Sequence, residues 1–295
     1  MNFGTLITAM ITPFDHDEEI DYPATKSLIH YLIDNGSDSI VIGGTTGESP
    51  TLTIEEKTDF FKYVVKEVDG RIPVIAGTGT NSTKSSIQLT KIAEESGVDA
   101  AMLVAPYYNK PSQEGIYRHF EKIAHSTSLP IMLYNIPGRC SVNIDPNTII
   151  KLSNIDNIVA VKEASGDINA IAAIAEKTYD SFYVYCGDDS LTLPTLSVGG
   201  HGVVSVASHI LGSEMKEMID AHETGNALLA KQLHQELLPM MHALFIAPNP
   251  TPVKAALEMF GINAGSVRMP LVPLTQEESK VLYECLQHKL LSRAV

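Results

Sequence analysis

Eight short apolar runs, spread over residues 6–206, constrain the fold of this 295-residue chain more than any other feature. They cover residues 6–12, 39–44, 73–77, 100–106, 130–135, 158–162, 182–186 and 202–206, and their ends follow one another at intervals of about 20 to 33 residues. That interval is one strand plus one helix with its connections. The runs are nearly continuous in Val, Ile, Leu and Ala, so each strand must be buried on both faces, as in a parallel sheet. Helical patterns fill most of the gaps. Residues 22–35 carry Leu28, Ile29, Leu32 and Ile33 on one face, with Gly36 as a stop. Thr53-Ile54-Glu55-Glu56 has the spacing of a capping box and opens a helix to Val68. Residues 82–96 end at Gly97, and 113–126 and 145–152 fill two further gaps. The expectation is an α/β chain folded as a (β/α)8 TIM barrel. An open doubly wound sheet would need a glycine-rich turn after its first strand, and Ile11-Thr12-Pro13-Phe14 offers none.

Beyond residue 206 the helical patterns are 211–222, 227–245, 253–260 and 276–291, broken by Ala247-Pro248-Asn249-Pro250-Thr251-Pro252. One or two of these helices close the barrel. Residues 1–224 are therefore assigned to the barrel and 225–295 to a C-terminal helical extension of the same structural unit.

No run approaches the roughly 20 apolar residues of a membrane span. The opening Met1-Asn2-Phe3-Gly4-Thr5-Leu6 lacks the basic segment of a signal peptide. Cys140, Cys186 and Cys285 are odd in number and far apart, which points to a reducing cytoplasm. A net charge of −14 opposes binding to a phosphate backbone, so no nucleic-acid partner is expected. The ten histidines are scattered, without HxH or HExxH, and His201 falls at the start of the eighth strand, the wrong end for a barrel site. No catalytic metal is expected.

Active sites of such barrels lie at the C-terminal ends of the strands. The sixth run ends in Val161-Lys162-Glu163-Ala164, an apolar strand terminating in an amine. Burial disfavours an ammonium, and a neutral amine beside a carbonyl compound forms a Schiff base. The second run leads into Gly43-Gly44-Thr45-Thr46-Gly47-Glu48-Ser49, whose backbone N–H groups and hydroxyls suit a small carboxylate. It lacks the Gly-Lys-Ser/Thr of a P-loop. The fourth and fifth runs end in Pro106-Tyr107-Tyr108-Asn109 and Tyr134-Asn135, the latter followed by Pro137-Gly138-Arg139. A hydrogen-bonded tyrosine can shuttle protons, and an arginine can clamp a carboxylate with two parallel bonds. The seventh ends in Gly187-Asp188-Asp189-Ser190, where two carboxylates oppose a phosphate and read best as caps of the following helix.

Taken together, these stretches, with Gly199-Gly200-His201-Gly202-Val203-Val204-Ser205 and Asn249-Pro250-Thr251-Pro252-Val253-Lys254, resemble the dihydrodipicolinate synthase / N-acetylneuraminate lyase family over nearly the whole chain. The resemblance implies a class I aldolase-type barrel whose lysine forms a Schiff base with pyruvate and needs no cofactor. Lys162 matches that lysine, and Tyr134 the tyrosine that moves protons to and from the imine. Thr45 and Tyr108 match the other members of a proton relay, the second tyrosine usually reaching in from a neighbouring subunit. Thr46 matches a binder of the pyruvate carboxylate, and the carbonyls of Gly187 and Val204 match groups near bound substrate. Arg139 matches the arginine that receives the carboxylate of L-aspartate 4-semialdehyde in the synthase branch. Sialic acid lyases typically lack it and carry Ser-Thr in place of Thr45-Thr46. Gly138 departs from the pattern, since a serine is common there. The implied product is 4-hydroxy-tetrahydrodipicolinate, on the route to diaminopimelate and lysine. The alternative is an N-acetylneuraminate or 2-keto-3-deoxy sugar acid aldolase using the same imine. The resemblance also implies a homotetramer built from tight dimers, although dimers occur. In lysine-regulated relatives the effector pocket lies between subunits. The matching positions are Ile54, Lys57 and Ser85, beside Ser49, Asn81 and Tyr107. A cationic Lys57 opposes a cationic effector, so weak or absent feedback is expected.

Overall fold

The computed structural model describes residues 2–293. Eight parallel strands close into one barrel in sequence order: β1 Leu6–Ala9, β2 Ser39–Ile42, β3 Val74–Gly77, β4 Ala100–Val104, β5 Ile131–Asn135, β6 Ile158–Glu163, β7 Tyr183–Cys186 and β8 Gly202–Ser205, with β8 pairing back onto β1. The (β/α)8 expectation therefore holds. Most strands are shorter than the apolar runs that announced them. Met10 and Ile11 stay buried after β1, although the strand itself has ended.

The helices are α1 Tyr22–Asp34, α2 Ile54–Val68, α3 Thr83–Glu95, α4 Gln113–Ala124, α5 Pro137–Cys140, α6 Pro146–Leu152, α7 Ile168–Lys177, α8 Thr192–Ser197, α9 Ser208–Glu223, α10 Ala227–Ala243, α11 Thr251–Met259 and α12 Gln276–Arg293. The capping box at α2 forms as its sequence requires. Glu56 N–H donates to the Thr53 hydroxyl at 3.1 Å, and Thr53 N–H donates to the Glu56 carboxylate at 2.7 Å. Such caps stabilise a helix start by about 1 kcal/mol. After β8 the chain packs α9 against β1 and α10 against α9, and α12 lies across α10 and α11. No helix among the described residues is long and apolar enough to cross a membrane.

Side chains of a strand alternate between the barrel interior and the helical layer. On β5, Leu133 packs outward among Phe120, Ile149 and Ile174, while Met132 and Tyr134 turn inward. On β6, Val161 is outward and Ala160 inward, which places Lys162 on the inner face two residues later. The next pair, Asn135 and Glu163, turns outward and joins the loops above the strands. Asn135 Nδ2 donates to Glu163 Oε2 at 2.9 Å and to Asn143 Oδ1 at 2.7 Å, and Ser165 N–H donates to Glu163 Oε1 at 2.7 Å. This set, buried at Asn135 and Glu163, ties the segment carrying Arg139 to the strand carrying Lys162.

Candidate active site

Tyr134 and Lys162 are register partners on β5 and β6 at the C-terminal mouth of the barrel. The Lys162 nitrogen lies 4.3 Å from the centroid of the Tyr134 ring. Lys162 is 5% exposed and forms no salt bridge among the described residues. Burial draws its pKa from 10.5 down to about 8. The carboxylate of Asp189 and the thiol of Cys186 oppose that shift, and the Arg139 guanidinium reinforces it. A substantial fraction of the side chain is thus neutral near pH 8, the form that attacks a carbonyl. Gly187 is required beside it. A Cβ there would stand 3.0 Å from Lys162 Cε and 2.5 Å from the Ala164 methyl.

Burial pushes the Tyr134 phenol up to about 12, against the Arg139 charge and a hydrogen bond with Thr45. Tyr134 is therefore a neutral hydroxyl at any physiological pH. Such a group can act as an acid or a hydrogen-bonded relay, not as a standing phenolate. Thr45 sits in the turn after β2, which passes tightly over β3. At Gly77 a Cβ would fall 2.4 Å from the Gly43 carbonyl oxygen, and Gly43 itself takes the left-handed conformation at φ +58. The turn brings Gly43, Gly44 and Thr45 to the wall of a cavity of about 270 Å³, together with Tyr134, Arg139 and Cys140. Lys57, Ser49 and Tyr107 line the same cavity. Ser85 and Ile54 do not, and Ile54 is exposed.

The other sequence-predicted residues fall into three groups. Thr46, the residue after Thr45 in the turn, is buried and does not line the cavity, and Asn249 Nδ2 donates to its hydroxyl at 3.0 Å. Val204 is buried inside the barrel with Tyr134 and Ala160. Tyr108 stands apart from all of them. It is 87% exposed at φ +72 on the loop after β4 and does not line the cavity of its own chain.

The aspartates after β7 divide. Asp188 caps the following turn, accepting from Ser190 N–H at 2.9 Å, as the sequence suggests. Asp189 is no cap. Its carboxylate is buried and accepts from the N–H groups of Val206 and Ala207 at 3.1 and 2.9 Å, and its charge acts on Lys162. Two adjacent aspartates in a loop carry no sequence signal that separates these fates. Asn249, Lys254 and Glu48 also gain contacts that no local pattern announces, because their partners lie about 200 residues away.

A partly neutral amine on an inner strand end, a tyrosine ring beside it and an arginine in the cavity that this tyrosine lines fit a barrel for lysine-dependent carbonyl chemistry on a carboxylate-bearing substrate. The comparisons with known proteins agree. The family model of the dihydrodipicolinate synthetase family matches residues 2–289, and the chain belongs to that family. A 4-hydroxy-tetrahydrodipicolinate synthase of Bacillus subtilis (strain 168) is 61% identical over 279 residues, covering 94% of this chain and 96% of the relative. The crystal structure of a dihydrodipicolinate synthase from Bacillus anthracis superposes with a TM-score of 0.96 at 58% identity, covering 97% of this chain and 98% of that one. A Cyanidioschyzon merolae relative with lysine bound superposes with a TM-score of 0.95 at 46% identity, covering 97% of each chain. These relatives support the synthase expectation and not the sugar-acid aldolase alternative.

Proposed function

We propose that this chain condenses pyruvate with L-aspartate 4-semialdehyde through an imine on Lys162, giving 4-hydroxy-tetrahydrodipicolinate. The observation that carries the reading is the buried Lys162 amine held against the Tyr134 ring, with Thr45 bonded to that tyrosine. Neutral Lys162 attacks the keto carbon of pyruvate. Tyr134 protonates the carbinolamine oxygen, which leaves as water to give the iminium. The iminium draws electrons from the methyl carbon, whose proton departs to form an enamine. Thr45 and Tyr134 pass these protons toward solvent, with Tyr108 of a second copy completing the relay. The enamine carbon then bonds to the aldehyde carbon, and the aldehyde oxygen takes a proton. Arg139 holds the carboxylate of the semialdehyde. Finally the substrate amino group attacks the imine carbon and displaces the Lys162 amine, closing the ring. Thr46 binds the pyruvate carboxylate, and the backbone carbonyls of Gly187 and Val204 lie near the bound substrate.

The exposed, left-handed Tyr108 supports an assembly in which one copy completes the site of another. We take that assembly to be a homotetramer of tight dimers, working in the cytoplasm. Sedimentation velocity at enzyme concentrations used for assay would show the four-chain species; a stable monomer with full activity would contradict it. Lys57 lines the cavity wall, and the positive charge of a lysine side chain there, although burial lowers its pKa, opposes a cationic effector and supports weak feedback. Inhibition by micromolar L-lysine would contradict that view.

Product analysis tests the function. With pyruvate present, aspartate semialdehyde should be consumed rapidly, and N-acetylmannosamine or a sugar aldehyde hardly at all. The reverse preference would assign the chain to the aldolase branch.

A further inference from the structure

The segment Asn249-Pro250-Thr251-Pro252-Val253-Lys254 plays no part in the steps above, yet it grips the 45–49 turn at two buried points. Asn249 Nδ2 donates to the Thr46 hydroxyl at 3.0 Å. Five residues on, Lys254 Nζ stands 2.7 Å from Glu48 Oε1, and both side chains are about 2% exposed or less. The other Glu48 oxygen accepts from Arg268 N–H at 2.9 Å. Lys254 also donates to the Ser266 carbonyl at 2.7 Å and lies 4.1 Å over the Phe14 ring. Glu48 holds a left-handed backbone at φ 54, a conformation that a non-glycine residue keeps only when its surroundings impose it.

A threonine hydroxyl has one hydrogen and two lone pairs. The Asn249 amide occupies a lone pair of Thr46, so the Thr46 hydrogen must point elsewhere and is free to donate. A carboxylate ligand needs that donor. The Lys254–Glu48 pair fixes the backbone two residues further along the same turn.

We propose that Asn249 and Lys254 are positioning residues, a clamp by which the C-terminal extension sets the Thr46 hydroxyl for the pyruvate carboxylate. The proposal rests on the reading of Thr46 as a carboxylate binder. It gives the C-terminal segment a part in pyruvate affinity, although that segment contributes no atom to the reaction.

The test is a set of steady-state measurements on Thr46→Val, Asn249→Ala, Asn249→Asp and the Thr46→Val/Asn249→Ala double variant. Each single variant should raise the KM for pyruvate by on the order of tenfold or more, the loss of one hydrogen bond to a charged group, with a smaller change in kcat. Asn249→Asp keeps the side-chain shape but accepts the Thr46 hydrogen, so its KM should rise without loss of fold. The double variant should be no worse than Thr46→Val alone, because both substitutions remove one interaction. Borohydride trapping at saturating pyruvate should persist in all four, which separates this clamp from the imine itself. Lys254→Met should raise KM likewise, and Glu48→Gln/Lys254→Met should recover most of the loss by removing the stranded carboxylate. A wild-type KM in both Asn249 variants beside a raised KM in Thr46→Val would overturn the proposal, as would full additivity in the double variant. A silent Thr46→Val would remove the carboxylate role of Thr46 and the clamp with it, while leaving the Lys162 chemistry standing.

Discussion

Lys162 and Tyr134 sit opposite each other in register on β6 and β5, with the amine nitrogen 4.3 Å from the centre of the phenol ring. The ring packs against the buried amine, and a hydrogen bond with Thr45 partly offsets the burial that raises the phenol's pKa. In the proposed reaction, deleting the hydroxyl removes proton transfer and leaves the ring. Tyr134→Phe should therefore lose on the order of a hundredfold or more in kcat, the usual scale for a general acid, with thermal unfolding near that of the wild type. Activity within a few-fold of wild type would take Tyr134 out of the relay.

The buried amine should also leave a mark on stability. In the unfolded chain Lys162 titrates near 10.5, and in the folded one near 8. Below about 8 both states carry the proton, and folding bears the full cost of burying a charge, roughly 3 kcal/mol. Between about 8 and 10.5 the folded state has shed a proton that the unfolded state keeps, so this cost shrinks as pH rises. Lys162→Met keeps the volume and removes the charge. It should melt several degrees higher than wild type at pH 7, with the difference narrowing toward pH 10. No gain at pH 7, or a difference that widens with pH, would contradict the burial argument.

Arg139 shares the cavity with Tyr134, and its charge helps to lower the pKa of Lys162. Arg139→Ala should raise the KM for aspartate semialdehyde by about ten- to a hundredfold, as expected for a lost charged hydrogen-bond pair. Pyruvate trapping should survive, with its pH midpoint moved upward because the repelling cation is gone. Unchanged KM for the aldehyde would place its carboxylate elsewhere.

How much of this was legible in the chain depends on how local each signal is. The barrel can be read because each of its strands is an apolar run and the runs recur at the spacing of one strand plus one helix. Lys162 could be read because a lysine closing such a run is out of place. Helix α7 leaves no clear signal, since Ile168–Lys177 alternates Ile with small Ala in a pattern of little contrast. Asp189 reads like its neighbour Asp188 until the fold brings the N–H groups of Val206 and Ala207 against it. Asn249 is visible only as part of a motif, because its partner Thr46 lies 203 residues away.

Tyr108 poses the opposite case, since its place depends on a second copy of the chain. If it completes a neighbour's site, subunits carrying Lys162→Ala and subunits carrying Tyr108→Phe should each be nearly inactive alone. Mixed dimers should regain activity, because the Tyr108→Phe subunit keeps Lys162 and receives an intact tyrosine from its partner. Refolding equal amounts together and assaying the mixture reads this directly. No recovery, with hybrid formation verified, would place Tyr108 in its own subunit's chemistry or in none.

The most direct measurement is reductive trapping. Borohydride added with pyruvate should inactivate the protein, and peptide mass mapping should find one adduct, of the reduced pyruvate imine, on the peptide containing Lys162. Lys162→Ala should remain unlabelled under the same conditions. An adduct on another lysine, or labelling of Lys162→Ala at the wild-type rate, would contradict the account at its centre.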